Sequence, residues 1–137
     1  MPRLTSDDYF AGYRDDSGIT DEIRSNADNL LAFVNPMLDD FSAAGFDLPE
    51  NPHTLTLVSG ERDGGWRPKN CPIGAPNSAH KQGLAVDIYD PDGDLDGWLD
   101  DAMLSQYGLY REDPGSTRGW CHVTIRAPHS GKRTFFP

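Results

Sequence analysis

The stretch NSAHKQGLAVDIYD, residues 77–90, sets a histidine, a glycine and an aspartate in close order and then runs into an apolar segment. LAVDIY, from Leu84 to Tyr89, is rich in apolar and β-branched residues and reads as a strand that carries Asp87. Gly83 allows a sharp turn between His80 and that strand. His80 and Asp87 together read as one half of a metal site, because a metal with open chemistry takes three protein ligands and keeps a fourth position. His122, in GWCHVTIR, supplies the third ligand if its strand lies beside that of Asp87. Alternation along this second strand puts Trp120, His122 and Thr124 on one face and Cys121, Val123 and Ile125 on the other, so Cys121 is expected to point into the core. Two imidazoles and a carboxylate suit zinc, with ligand bonds of about 2.0–2.2 Å.

Working outward, Thr20-Asp21-Glu22 reads as a helix start, a hydroxyl cap followed by acids that complement the helix dipole. Ile23, Ala27, Leu30, Leu31, Val34, Leu38 and Phe41 then draw one apolar stripe down a helix that ends near Gly45, with a kink expected at Pro36. TLTLVSG predicts a strand over 54–58, and residues 60–79, rich in Gly, Pro and Asn, form a loop long enough to suggest a site. LDGWLDDAMLSQ predicts one short helix, YGLYRE and WCHVTIRA two more strands, and GKRTFFP a short edge segment. The pattern is that of an α+β protein, a helix against a small, mainly antiparallel sheet. All 137 residues fit one domain, 1–137, with residues 1–19 as an N-terminal extension.

Composition narrows the function. Asp and Glu number 22 against 12 Lys and Arg, a formal charge of −10, which excludes the basic surface that nucleic acid needs. No apolar run approaches the roughly 18 residues of a membrane span, and the N-terminus lacks the pattern of a signal peptide. The two cysteines, Cys71 and Cys121, are too few for a disulfide framework or a cysteine-only zinc site.

SGER at 59–62, GAPNSAHKQGLAVDI at 74–88 and WCH at 120–122 resemble the zinc peptidases of the M15 family. That family comprises D-Ala-D-Ala carboxypeptidases, vancomycin-resistance dipeptidases and L-alanyl-D-glutamate endopeptidases of phage lysis, and shares its fold with the hedgehog signalling domain. Ser59, Gly60 and Arg62 match its SGxR; Ser78, His80, Gly83, Ala85 and Asp87 match its SxHxxGxAxD; His122 matches the tryptophan-associated histidine of a later strand. The resemblance covers roughly residues 20–126. It implies a hedgehog-like fold and a Zn2+ held by His80, Asp87 and His122. It implies that Arg62 binds the substrate's carbonyl or carboxylate and that Ser78 helps fix the site or the peptide. The implied activity is hydrolysis of peptidoglycan stem peptides, in a phage or prophage product that is made in the cytoplasm and reaches the cell wall without a leader.

One departure bears on catalysis. Many members of that family carry an acid three positions before the last histidine, as general base for the attacking water; here that position is Gly119. Loss of positioned proton transfer costs about 10²- to 10⁴-fold. Glu112 or Asp113 from REDPGSTRG is the first substitute, with Glu112 favoured; Glu61 or Asp63 is a second option, and a zinc-stabilised binding or structural module without catalysis a third. DGDLDG, residues 92–97, copies half of a calcium loop but has Met103 at the twelfth position, so an acidic turn with Asp94 or Asp96 capping a helix is the competing reading. Trp66 reads either as a cleft wall or as the anchor of the long loop, and His53 and His129 as surface residues.

Overall fold

The apolar stripe from Ile23 to Phe41 becomes the longest helix of the protein and organises the rest. In a computed structural model, which describes residues 3–74 and 77–137, α1 spans Ser6–Phe10 and α2 spans Asp21–Ala43. Met1, Pro2, Ala75 and Pro76 lie outside the described residues, and with them two positions of the expected extension and two of the expected 60–79 loop. The Ile23 N–H donates to Thr20 Oγ1 at 3.1 Å, so the cap read from sequence closes the first turn. The helix continues through Pro36 without a break. Its buried face, from Ala27 through Leu30, Val34 and Leu38 to Phe41, forms one side of the core. Asn35 is buried as well; it accepts from the Leu4 N–H and donates to the Leu4 carbonyl, tying the N-terminal segment to α2. Through that tie Leu4, Tyr9 and Phe10, all from the expected extension, join the core.

The sheet follows: β1 (Ala85–Asp90), α3 (Asp94–Trp98), α4 (Asp101–Tyr107), β2 (Tyr110–Glu112), β3 (Gly119–Thr124) and β4 (Thr134–Phe135). Its order is β1-β3-β2-β4, with β3 antiparallel to both β1 and β2 and β4 parallel to β2. The protein is thus α+β with a small mixed sheet. Cys121 and Val123 are fully buried on the helix side of β3, as alternation requires.

Three local expectations are corrected. TLTL is not a strand: only Val58 bridges Ile88, and Leu55 is exposed with a φ of 57°. Side chains here satisfy the backbone groups a strand would pair. Asn51, itself buried, donates to the Val58 and Gly60 carbonyls, and the Thr54 and Thr56 hydroxyls accept from the backbone N–H groups of Thr56 and Val58. The helix expected over LDGWLDDAMLSQ is two helices. Asp100 is extended and its carboxylate accepts from the Met103 N–H at 2.8 Å, which starts α4 afresh. The cap of α3 comes from neither Asp94 nor Asp96. The buried Asp90 accepts from the Leu95 and Asp96 N–H groups through its two oxygens.

Candidate metal centre

The turn before β1 is built to hold one imidazole still. Ser78 Oγ accepts from the His80 N–H at 3.3 Å and opens a short 3-10 turn over Ala79–Gln82. Gly83 ends it at φ 78°, where a Cβ would stand 2.7 Å from the Ile23 carbonyl oxygen, so both backbone and space demand glycine. His80 is nearly fully buried and its Nδ1 lies 2.8 Å from the Gly65 carbonyl oxygen. A carbonyl only accepts, so Nδ1 carries the proton and Nε2 presents a lone pair.

That lone pair meets the other two groups. The antiparallel register of β1 and β3 sets Asp87 directly opposite His122. His80 Nε2 is 3.3 Å from His122 Nδ1 and 3.3 Å from Asp87 Oδ1, and His122 Nδ1 is 2.8 Å from Asp87 Oδ1. Tetrahedral bonds of about 2.1 Å separate neighbouring ligands by about 3.4 Å, which two of these spacings match and the third approaches. The donor set fits zinc: two imidazole nitrogens and one carboxylate oxygen, all buried or half-buried. Among the described residues this is the one cluster of three such groups that can hold a metal ion, and the acids of DGDLDG do not form a second.

A second layer holds the ligands. Arg67 is buried; its Nη2 donates to Asp87 Oδ2 at 3.2 Å, its Nε to the Asp63 carbonyl at 2.7 Å, and its backbone N–H to the His80 carbonyl at 3.4 Å. One side chain thereby orients a ligand carboxylate and ties it to the turn that carries His80. Burial opposes ionisation of Asp87, but in the metal-free site the charge and hydrogen bonds of protonated His80 and His122, whose place a cation would take, outweigh it and hold the carboxyl well below its ordinary range. Asp87 is therefore an anion ready to bind a cation. The Asp87 N–H donates to the Gly64 carbonyl at 2.7 Å, so the Gly64-Gly65 pair supports both ligands through its two carbonyls.

The triad opens into a cavity of about 870 Å³ whose wall includes Ser78, Glu112, Trp120, Arg126 and Phe135. Glu112 ends β2, where the register that pairs Tyr110 with Thr124 and Arg111 with Val123 continues to bring it beside His122. Burial raises its carboxyl, with His122 pulling the other way and Asp87 adding to the rise. Gly119 has a φ of 95° and lies opposite Asp90, at the far end of β1 from the ligand pair.

Not every residue expected at the site reaches it. Arg62 is absent from the cavity wall, and its guanidinium stands over the Tyr13 ring, 5.0 Å from the centroid. Glu61 and Asp63 line a neighbouring hollow with Asp87 and Arg67, and Asp63 accepts from the Tyr13 hydroxyl at 2.6 Å. Trp66 is buried against Phe10 and Tyr13, and its indole N–H donates to the Lys81 carbonyl, so it anchors the loop. His129, read as a surface residue, is exposed but lines the cavity. Arg67 and the Gly64-Gly65 pair escaped the sequence reading; the one signal for them is GGWR, in which a tryptophan that must be buried carries its neighbours inward. No known protein-family model matches the chain, and neither a curated protein nor a solved structure matches it.

Proposed function

We propose that the protein is a zinc-dependent peptidase that hydrolyses stem peptides of peptidoglycan, on a fold of the hedgehog and D-Ala-D-Ala carboxypeptidase type. The observation that carries this reading is the meeting of His80 Nε2, His122 Nδ1 and Asp87 Oδ1 at ligand spacing on the wall of an open cavity, with Glu112 on the next strand. The substrate class rests on the SGER, SAHKQGLAVD and WCH resemblance.

His80, Asp87 and His122 would hold a zinc ion, which would supply Lewis acidity toward a carbonyl and a water molecule. The chain's own residues supply the rest. Glu112 takes a proton from the attacking water and returns it to the leaving amine, the work that an acid at position 119 would otherwise do. Arg67 keeps Asp87 turned toward the centre, and the Gly65 carbonyl keeps the His80 tautomer. Ser78 positions the turn through the His80 N–H. Arg62, held over Tyr13, is not assigned to the substrate.

The competing reading, a zinc-stabilised module that binds without cutting, is favoured by Gly119 in place of the expected acid. Mass spectrometry of peptidoglycan fragments incubated with zinc-loaded protein separates the two. A lost D-alanine or a cut within the stem, prevented by a chelator, is the expected result. Glu112→Gln is expected to lower the rate by about 10²- to 10⁴-fold with metal content unchanged. Full activity of that variant would remove Glu112 from the mechanism, and unchanged fragments from wild-type protein that holds zinc would leave only the binding module.

A further inference from the structure

The triad cavity contains two guanidinium groups, and only one of them is neutralised. Arg67 is paired with Asp87. Arg126 is exposed at the cavity wall and forms no ion pair among the described residues. Its Nη1 donates to the Asn77 carbonyl at 2.9 Å and to Gln82 Oε1 at 3.5 Å, which fastens the group to the turn that carries His80. Its Nε and Nη2 have no partner among the described residues, and these two N–H groups form the edge of a guanidinium that takes a carboxylate by two parallel bonds.

The backbone places this group beside the site. The Ile125 N–H donates to the Leu84 carbonyl at 3.0 Å just past the end of β3, and the chain bends at Ile125 and Arg126. Past this bend Arg126 stands on the wall of the cavity that His80, Asp87 and His122 also line. A peptide held at the triad therefore lies in the same cavity as the free edge of the Arg126 guanidinium. A protein with 22 acidic and 12 basic residues has carboxylates to spare for a structural arginine, yet none is supplied here.

We propose that Arg126 is the substrate-carboxylate anchor of this cavity and selects peptides with a free carboxylate near the bond that is cut. This rests on the peptidase reading for its substrate, and it gives to Arg126 the task that the SGER motif assigned to Arg62.

Calorimetric titration of zinc-loaded wild-type, Arg126→Ala and Arg126→Lys proteins tests it with two pairs of probes. N-acetyl-D-alanyl-D-alanine and its C-terminal amide represent a terminal carboxylate; N-acetyl-L-alanyl-D-glutamine and its α-amide represent one inside the stem. Wild-type protein is expected to bind one acid tighter than its amide by on the order of 10- to 100-fold. Arg126→Ala is expected to erase that preference with amide binding and zinc content unchanged, and Arg126→Lys to restore part of it. The preferred pair identifies the source of the carboxylate. Equal binding of acids and amides by the wild type, binding of none of the four, or a preference that survives Arg126→Ala overturns the anchor. Arg126-dependent binding of an acid, with no cleavage of any stem fragment by mass spectrometry, upholds the anchor and rejects the peptidase reading instead.

Discussion

Arg67 is the residue on which the metal centre leans without being a ligand. It joins Asp87 Oδ2, the Asp63 carbonyl and the His80 carbonyl, and outer partners of this kind are worth about 10- to 100-fold in metal affinity. Arg67→Met is expected to weaken zinc binding by about that factor with all three ligands intact, read by competition with a chromophoric chelator. Unchanged affinity would mean that strand pairing alone orients Asp87. A half-buried acid away from the centre also makes stability depend on pH. Asp96 is pushed up from 3.8 to about 6 by burial, against the opposing pull of Cys121 and Arg111 and with a further push from Asp90. A raised carboxyl binds its proton more tightly in the folded chain, so its contribution is full below pH 3.8 and is lost as pH rises through about 6. Thermal melts from pH 4 to 7 are therefore expected to show Asp96→Asn gaining on the wild type as pH rises; a constant difference would refute the shift. At this scale the candidate ligands were legible in the sequence, because His80, Gly83 and Asp87 act through a local turn and one strand. Arg62 was not, since nothing in SGER foretells that Tyr13 will hold it.

Between residue and fold lie the segments that bring side chains together, and the loop bearing Gly64 and Gly65 is the decisive one. It passes between α1 and β1, and a Cβ on Gly65 would collide with the Tyr9 carbonyl oxygen, which accepts the Trp66 N–H at 3.3 Å. The approach is what lets the Gly65 carbonyl reach His80. Gly65→Ala must push the loop off α1, with a cost of about 1–3 kcal/mol for the overpacking and weaker zinc binding as the carbonyl withdraws. Gly12→Ala, where a Cβ meets nothing within 4 Å, is the neutral comparison. Denaturant midpoints and zinc titrations of both variants measure this, and a Gly65→Ala protein indistinguishable from Gly12→Ala would show that the loop has slack. Sequence patterns identified α2, β1 and β3 well, because each has a long enough run of its own period. They failed over 54–58, where Asn51, Thr54 and Thr56 offered the backbone nearer partners than another strand.

Taken as a whole molecule, a metal at this centre would join parts of the chain that are distant in sequence, a turn, the edge strand β1 and a strand whose histidine lies 35 residues beyond Asp87. An ion that binds only this arrangement stabilises the fold, by about 2.7 kcal/mol at a hundredfold excess over its Kd. For a domain of this size that is a rise in Tm of roughly 10 °C. Zinc is expected to produce such a rise, a chelator to reverse it, and His122→Ala to abolish it; a melting temperature indifferent to zinc would reject the site. The sequence by itself determined the elements with clear periodicity, the cap at Thr20, the inward turn of Cys121 and the three residues, His80, Asp87 and His122, that gather into a group able to hold a metal ion. Each of these depends on interactions within a few residues or on the fixed geometry of helix and strand. Only the tertiary structure decided that β1 pairs with β3 in the register that faces Asp87 with His122, that Glu112 sits on the neighbouring strand, that residues 4–10 complete the core, and that Arg67 and Arg126 rather than Arg62 stand at the cavity. Those outcomes depend on which surfaces bury one another, a competition among distant segments that local pattern does not encode.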